Sequence, residues 1–405
     1  MKTPAAAVPR IILPKGFLFS GVAAGIKISG APDLALAEAP AGASAAAMFT
    51  NNRVVAAPVV AGRKHLQMTG GRVQALIVNS GNANCATGKP GWRAVVKTCY
   101  AVAAAVQCHP AEVFPSSTGV IGVQLPVEKI TRALPALVRT REDHEAGADR
   151  FARAIMTTDT RLKAASAMIR CGGSTVTLMG VAKGAGMIHP RLATMLVYLF
   201  TDAAATPAQL RPLLRAACRE SFNHISIDGD TSTNDTVLLL ASGASGQKIA
   251  GGRARAQFGA ALSAVCASLA RQIVADGEGV QHVVKLRIEN ARSPGEAEQV
   301  ARAIANSALV KTAWAGADPN WGRVLAAVGY SGVPIDPASV DIFFGPHRVC
   351  RKGELSPFDE NTVHSYLSQP EFEVRVRLGR GKSSTTFWTC DLTQEYIKVN
   401  ADYRT

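Results

Sequence analysis

Four clusters of residues could do chemistry, and the richest runs Lys183-Gly184-Ala185-Gly186-Met187-Ile188-His189-Pro190-Arg191-Leu192-Ala193-Thr194 straight into the apolar segment 195–200. Glycine lets backbone approach closely, and a threonine at the mouth of a buried strand has its hydroxyl held rigidly where a nucleophile is useful. Strand plus turn is the plain alternative for the same pattern. The second cluster, Pro115-Ser116-Ser117-Thr118-Gly119-Val120-Ile121-Gly122, reads either as a turn or as a set of uncovered backbone N–H groups able to stabilise an oxyanion. The third, segment 226–236, carries Asp228, Asp230 and Asp235 among hydroxyls. It lacks the bidentate glutamate of a calcium loop and reads as a hydrogen-bonded structural loop near a site. The fourth, Gly316-Ala317-Asp318-Pro319-Asn320-Trp321-Gly322-Arg323, reads as a tight turn in which Trp321 anchors the next helix.

Several chemistries are disfavoured. There is no G-x-x-x-x-G-K-[ST] phosphate loop, the nearest imitation at 243–248 lacking both spacing and hydroxyl. The eight histidines fall in no metal-ligand spacing, so neither metal nor cofactor is expected. A net charge of +14 and a pI near 9.6 raise the question of nucleic acid. The basic residues are spread along the chain, however, aromatics are only 6%, and no nucleic-acid motif occurs, so no nucleic-acid partner is expected. The eight cysteines are scattered without a C-x-x-C pair and read as buried free thiols in a reducing cytoplasm. The continuous apolar runs 195–200 and 237–241 are far shorter than the roughly 20 residues that cross a bilayer, and the N-terminus has no signal-like apolar region.

The elements that must position these clusters follow from periodicity. Residues 75–78 read as a buried strand ending in Asn79-Ser80-Gly81-Asn82, with a helix over about 91–107 after it. Thr206 and Pro207 open a helix whose inward face is Leu210, Leu213, Leu214 and Cys218. Phe258, Leu262, Val265, Cys266, Leu269 and Ile273 repeat at helical spacing until Asp276 and Gly277 stop them. Beyond lie a strand over 283–288, a helix over 294–309 and half-solvated strands over 372–378 and 386–392, together a smaller α+β unit. With 405 residues, a large core is affordable, and an alanine-rich stretch at 41–47 is the one compositional oddity.

Taken in order, these segments resemble the ornithine acetyltransferase family, also called glutamate N-acetyltransferase, of cyclic arginine biosynthesis. The resemblance spans nearly the whole chain: Pro14-Lys15-Gly16-Phe17, Gly25-Ile26-Lys27, Val78-Asn79-Ser80-Gly81-Asn82-Ala83-Asn84, Ser117-Thr118-Gly119-Val120-Ile121-Gly122, Met156-Thr157-Thr158-Asp159-Thr160, Lys183-Gly184-Ala185-Gly186-Met187-Ile188, the loop 228–236, the segment 316–323 and the extreme C-terminus. It implies an enzyme of the N-terminal-nucleophile type that cleaves itself between Ala193 and Thr194 into α and β chains. Thr194 Oγ would attack the Ala193 carbonyl to give an ester, which water opens. The freed α-amine, with a reference pKa of about 7.7–8.0, then serves the same residue's hydroxyl as base.

Carried over by position, Thr118 and Gly119 form the oxyanion hole, and Thr157, Lys183, Thr194, Glu278, Asn400 and Thr405 bind substrate. The implied reaction passes acetyl from N-acetylornithine to Thr194 and from there to glutamate, with acetyl-CoA a possible second donor. A self-processing aminopeptidase or amidase is the alternative; it would use water as acceptor. The implied architecture is a four-layer αββα sandwich over residues 1–280, with residues 281–405 a smaller α+β domain whose tail returns to the active site. A cytoplasmic heterotetramer of two α and two β chains completes the expectation.

Overall fold

The computed structural model describes residues 11–171, 174–188, 195–249 and 251–402, and two β-sheets organise them. The first contains β1 (Leu18–Val22), β2 (Leu34–Phe49), β3 (Arg72–Asn82), β4 (Val113–Val120), β5 (Lys163–Cys171), β6 (Ser174–Lys183), β7 (Leu196–Thr201) and β8 (Thr236–Ala241). Its order is β4-β3-β2-β8-β7-β6-β5, with β1 also paired to β2. The long β2 joins its two halves. Residues before its register shift at Glu38/Ala43 pair with β1 and β3, and residues 44–49 pair with β8.

Side chains alternate across each strand, so each half-sheet has two apolar faces to cover. Leu76, Val78, Met179, Val181, Tyr198, Phe200, Leu238 and Leu240 share one core with Phe19 and Phe151, filling the space between the half-sheets. The opposite residues of β2 and β3, Leu34, Leu36, Ala75 and Ile77, pack with Val95, Cys99, Val102, Ile130 and Leu134 of α2 (Gly88–Val106) and α3 (Val127–Arg139). On the other side, Leu178, Val197, Leu199, Val237 and Leu239 pack with Leu210 and Leu214 of α5 (Pro207–Glu220) and with Phe258, Leu262, Leu269 and Ile273 of α6 (Gly252–Ala275). The result is the expected four-layer αββα order. Thr206 caps α5 by accepting the Gln209 N–H, with Pro207 at the first helical position. α6 is the one described helix long and apolar enough to cross a bilayer by composition, and its apolar stripe is buried in this core.

The second sheet runs β12-β11-β10-β13-β9-β14 and comprises β9 (Val283–Ala291), β10 (Asp341–Phe344), β11 (His347–Arg351), β12 (Glu354–Leu355), β13 (Glu371–Arg377) and β14 (Ser383–Cys390). One face carries α7 (Pro294–Ala305), α8 (Ala308–Ala315), α9 (Trp321–Gly329) and α10 (Glu360–Leu367) around Val300, Ile304, Trp314, Phe344, Phe372 and Phe387. α11 (Gln394–Asp402) follows.

One sequence expectation needs correction, and one segment left unassigned gains its element. The helix expected over 294–309 is two helices, because Ser307 accepts the Val310 N–H and starts a new one. The stretch 41–47 belongs to β2: pairing with β8 overrides alanine's helix preference, and small side chains suit a strand covered on both faces. The segment 316–323 behaves as expected, Asn320 capping α9 at Trp321. Among the described side chains, seven cysteines are free thiols, and all but the half-buried Cys108 are buried.

Candidate active site

The strand ends of the large sheet converge on one cavity of about 130 Å³ lined by Thr118, Gly119, Thr157, Lys183, Glu278 and Asn400, together with Ala83, Ile121, Thr158, Gly186, Met187 and the loop residues Ser232, Thr233 and Asn234. Six positions singled out in the sequence, from five separate segments, thus line one pocket. Ala193, Thr194 and Thr405 lie outside the described residues, as does His189. Met195, which follows Thr194 in the chain, is described: it is buried, and its N–H and C=O are taken by Asp235 Oδ1 at 3.0 Å and the Thr236 N–H at 3.2 Å.

Thr118 and Gly119 sit at the end of β4, which runs parallel to β3 with Thr118 opposite Ser80 and Gly119 opposite Gly81. At φ +131°, a Cβ on Gly119 would come within 2.3 Å of the Gly81 carbonyl carbon and 2.4 Å of Asn82 N, so only glycine fits. Asn79 and Asn234 hold the two chain ends together. Ser117 Oγ donates to Asn79 Oδ1 at 2.6 Å, and the Asn234 amide donates to Ala83 O at 2.7 Å and Ser117 O at 2.8 Å. The loop 226–236 is therefore more than a neighbour of the site, since its residues line the cavity and tie β8 to β4.

Lys183 ends β6 on the inter-sheet face and is 5% exposed. Its ammonium donates to Thr118 Oγ1 at 3.1 Å. Burial lowers its pKa, and Asp159, Asp235 and Glu278 oppose that shift. Glu278 comes from the turn after α6, where its N–H donates to Ala185 O at 2.9 Å. Its carboxylate fills the space a side chain on Gly186 would need, a Cβ there coming 2.4 Å from Oε2, and accepts the Asn400 amide at 2.8 Å. α11 is thus held at the cavity. A second tie is Tyr396 Oη, which donates to Asp228 at 3.4 Å.

Beneath the cavity lies a buried ionic group that the sequence reading did not assign. Asp159 accepts the Thr157 N–H at 2.9 Å, the Gly184 N–H at 2.7 Å and the Lys163 ammonium at 2.6 Å. Lys163 also reaches Asp276 at 2.5 Å, and Asp276 accepts the Thr160 and Arg161 N–H groups at 3.0 and 3.2 Å. Lys163 and both carboxylates are almost wholly buried. Burial would raise Asp159's pKa, but the Lys163 and Lys183 cations and the donated hydrogen bonds outweigh it and hold the carboxyl down at about 2. One ammonium therefore couples the segments that carry Thr157, Lys183 and Glu278. The only sequence signal was Asp159 within the Met156–Thr160 motif and Asp276 at a helix stop; nothing local marked Lys163. Among the described residues, no group of three His, Cys, Asp or Glu side chains is arranged to hold a metal ion.

The family model for the ArgJ family matches residues 18–405. The chain belongs to the ArgJ family. Relatives of this ArgJ-family chain include the arginine biosynthesis bifunctional protein ArgJ of Thermosynechococcus vestitus, 43% identical over 96% of this chain and 97% of that protein. The protein of the same name from Geobacter sulfurreducens is 45% identical over 96% of this chain and 99% of its own length. A solved ornithine acetyltransferase from Mycobacterium tuberculosis, complexed with ornithine, is 41% identical over 44% of this chain and 94% of that chain, with a TM-score of 0.40.

Proposed function

We propose that this protein is a glutamate N-acetyltransferase of arginine biosynthesis that carries acetyl from N-acetylornithine to glutamate on Thr194. One observation carries the reading: six of the positions that family resemblance assigns to the oxyanion hole and substrate line a single cavity, at the strand end from which Met195 leads into β7. In this reading the precursor cleaves between Ala193 and Thr194, and the new amine takes the Thr194 hydroxyl proton as Oγ attacks the acetyl carbonyl. Thr118 and Gly119 stabilise the oxyanion. Because Thr118 Oγ1 accepts from the Lys183 ammonium, its own proton is left to donate to that oxyanion.

Ornithine leaves, and the glutamate amine attacks the ester to give N-acetylglutamate. Lys183 supplies positive charge for a substrate carboxylate, Glu278 negative charge for an ammonium, and Thr157 and Asn400 hydrogen bonds, with Thr405 completing the substrate set. Residues 1–280 form the catalytic domain and residues 281–405 the smaller one, in a cytoplasmic heterotetramer of two α and two β chains with no nucleic-acid or membrane partner. A second reading, in which acetyl-CoA also serves as donor, is favoured by the name bifunctional that the relatives carry.

Ornithine release from N-acetylornithine, followed with and without glutamate, separates this reading from an amidase. Release that depends on glutamate and yields equal N-acetylglutamate is expected; release indifferent to glutamate would reassign the protein as a hydrolase. Radiolabelled acetyl-CoA with glutamate alone checks the second donor.

A further inference from the structure

Among the described residues lining the cavity, Lys183 supplies the positive side chain and Glu278 the negative one. That pair matches N-acetylornithine, which carries one carboxylate and one ammonium. Glutamate attacks through a neutral amine and brings two carboxylates, so its second carboxylate would meet Glu278 with no cation of the cavity wall left to balance it. Like charges facing each other in a pocket shielded from water oppose binding.

A second ammonium stands beside this wall. Lys27 lies in the loop before β2, and that loop is gathered around Asp33, a fully buried carboxylate. Asp33 accepts the N–H groups of Ala24 at 2.6 Å, Ile26 at 2.5 Å and Lys27 at 2.9 Å. Its own carbonyl accepts the Ser80 N–H at 2.9 Å, so one residue fixes the Lys27 backbone against the end of β3. The Lys27 stem then lies over Gly81, where a Cβ would come 3.0 Å from Lys27 Cγ. Gly81 is in turn the partner of Gly119 in the cavity wall, close enough that a Cβ on Gly119 would come 2.7 Å from Gly81 Cα. Beyond that contact the ammonium is lightly tethered. It donates to the Pro32 carbonyl at 2.8 Å and, among the described residues, makes no ion pair. Partial burial lowers its pKa, Asp33 and Asp159 oppose that shift and Lys183 adds to it, so its charge already senses the ionic groups of the site.

Resting on the reading of this cavity as the site for N-acetylornithine and glutamate, we propose that Lys27 is the specificity-determining cation for the acceptor: its ammonium leaves the Pro32 carbonyl and pairs with the side-chain carboxylate of glutamate. One cavity must take an ammonium in the first half-reaction and a carboxylate in the second. A compact charge on a flexible four-carbon stem suits that alternation. With N-acetylornithine bound, the Lys27 ammonium stays on Pro32, away from a like charge, and Glu278 takes the substrate ammonium. With glutamate bound, it turns inward and offsets the repulsion from Glu278.

In a ping-pong exchange kcat/KM for each substrate reports its own half-reaction, so Lys27→Met separates donor from acceptor. The value for glutamate should fall about 10–100-fold, the loss expected of one charge-assisted contact, while that for N-acetylornithine stays within about twofold. Lys27→Arg, which keeps the charge, should restore much of the glutamate value. Equal losses for both substrates, or no loss for glutamate, would overturn the proposal. A second measurement does not depend on a variant folding: wild type should acetylate glutamine, the neutral isostere of glutamate, about 10-fold or more less efficiently than glutamate. Wild type that acetylates the two equally would also overturn the proposal. Wild type that releases no ornithine from N-acetylornithine, or releases it at a rate indifferent to glutamate, would instead overturn the reading beneath it.

Discussion

The two sheets bury different things, apart from Lys311 of α8, a buried ammonium that donates to the Cys390 carbonyl of β14. In the second sheet's core the alternation is regular and apolar: Phe344, Phe372 and Phe387 meet Val300, Ile304 and Trp314. Around the first sheet's cavity the chain buries Asp159, Lys163, Lys183, Asp235 and Asp276, groups that cost free energy to desolvate and are retained only when paired or used. Polar atoms there are held by backbone donors and by one another, not by shape. The comparison separates residues that keep the protein folded from residues that keep a site assembled.

Lys163→Met should break the comparison most severely, leaving two buried carboxylates facing each other without their cation. A loss of about 3–5 kcal/mol in urea unfolding is expected, together with a raised KM, because Thr157, Lys183 and Glu278 lose their common anchor. Unchanged KM in the folded fraction would show that the ionic group is structural alone. Gly119→Ala comes next: the added Cβ collides with Gly81 and Asn82, and transfer should fall about 10²–10³-fold, equivalent to about 3–4 kcal/mol of transition-state stabilisation. Equal kcat in mutant and wild type would remove Gly119 from the oxyanion hole.

Ile304→Ala sharpens the other side. Truncating this fully buried side chain should cost about 3 kcal/mol of stability while kcat of the folded enzyme stays within about twofold, as a cavity distant in role from the chemistry requires. A large kcat loss would dissolve the distinction between the two regions.

The smallest effect is acid sensitivity. Asp159 sits at about 2 in the folded chain, below its unfolded value near 4, so its contribution is complete above pH 4 and is lost as the pH falls through 2. About 2 kcal/mol should disappear across that window in urea midpoints of wild type, and Asp159→Asn should flatten the dependence.

Much of this was legible in the sequence, for reasons that differ by region. α5 and α6 could be read because period and caps are local: Thr206, Pro207 and the Phe258–Ile273 stripe carry their own boundaries. The strand at 41–47 could not, since only pairing with β8 makes alanines extended. The same holds within the site. Thr118, Gly119, Thr157, Lys183, Glu278 and Asn400 were reached by position through the family resemblance, whereas Lys163 has no motif and gains meaning only when Asp159 and Asp276, more than a hundred residues apart, close on it. Asp235 was seen as one acid among three, and its distinction, a buried carboxylate that accepts the Met195 N–H, is a property of packing alone.

The central claim is that Thr194 is both the new N-terminus and the acetyl carrier. Purified protein should be exposed briefly to N-acetylornithine without glutamate, quenched in acid and analysed as a denaturing intact-mass spectrum. Two chains are predicted, with one acetyl group on the fragment that begins at Thr194. A single unmodified species of 42.4 kDa from a preparation that catalyses the exchange would contradict the account.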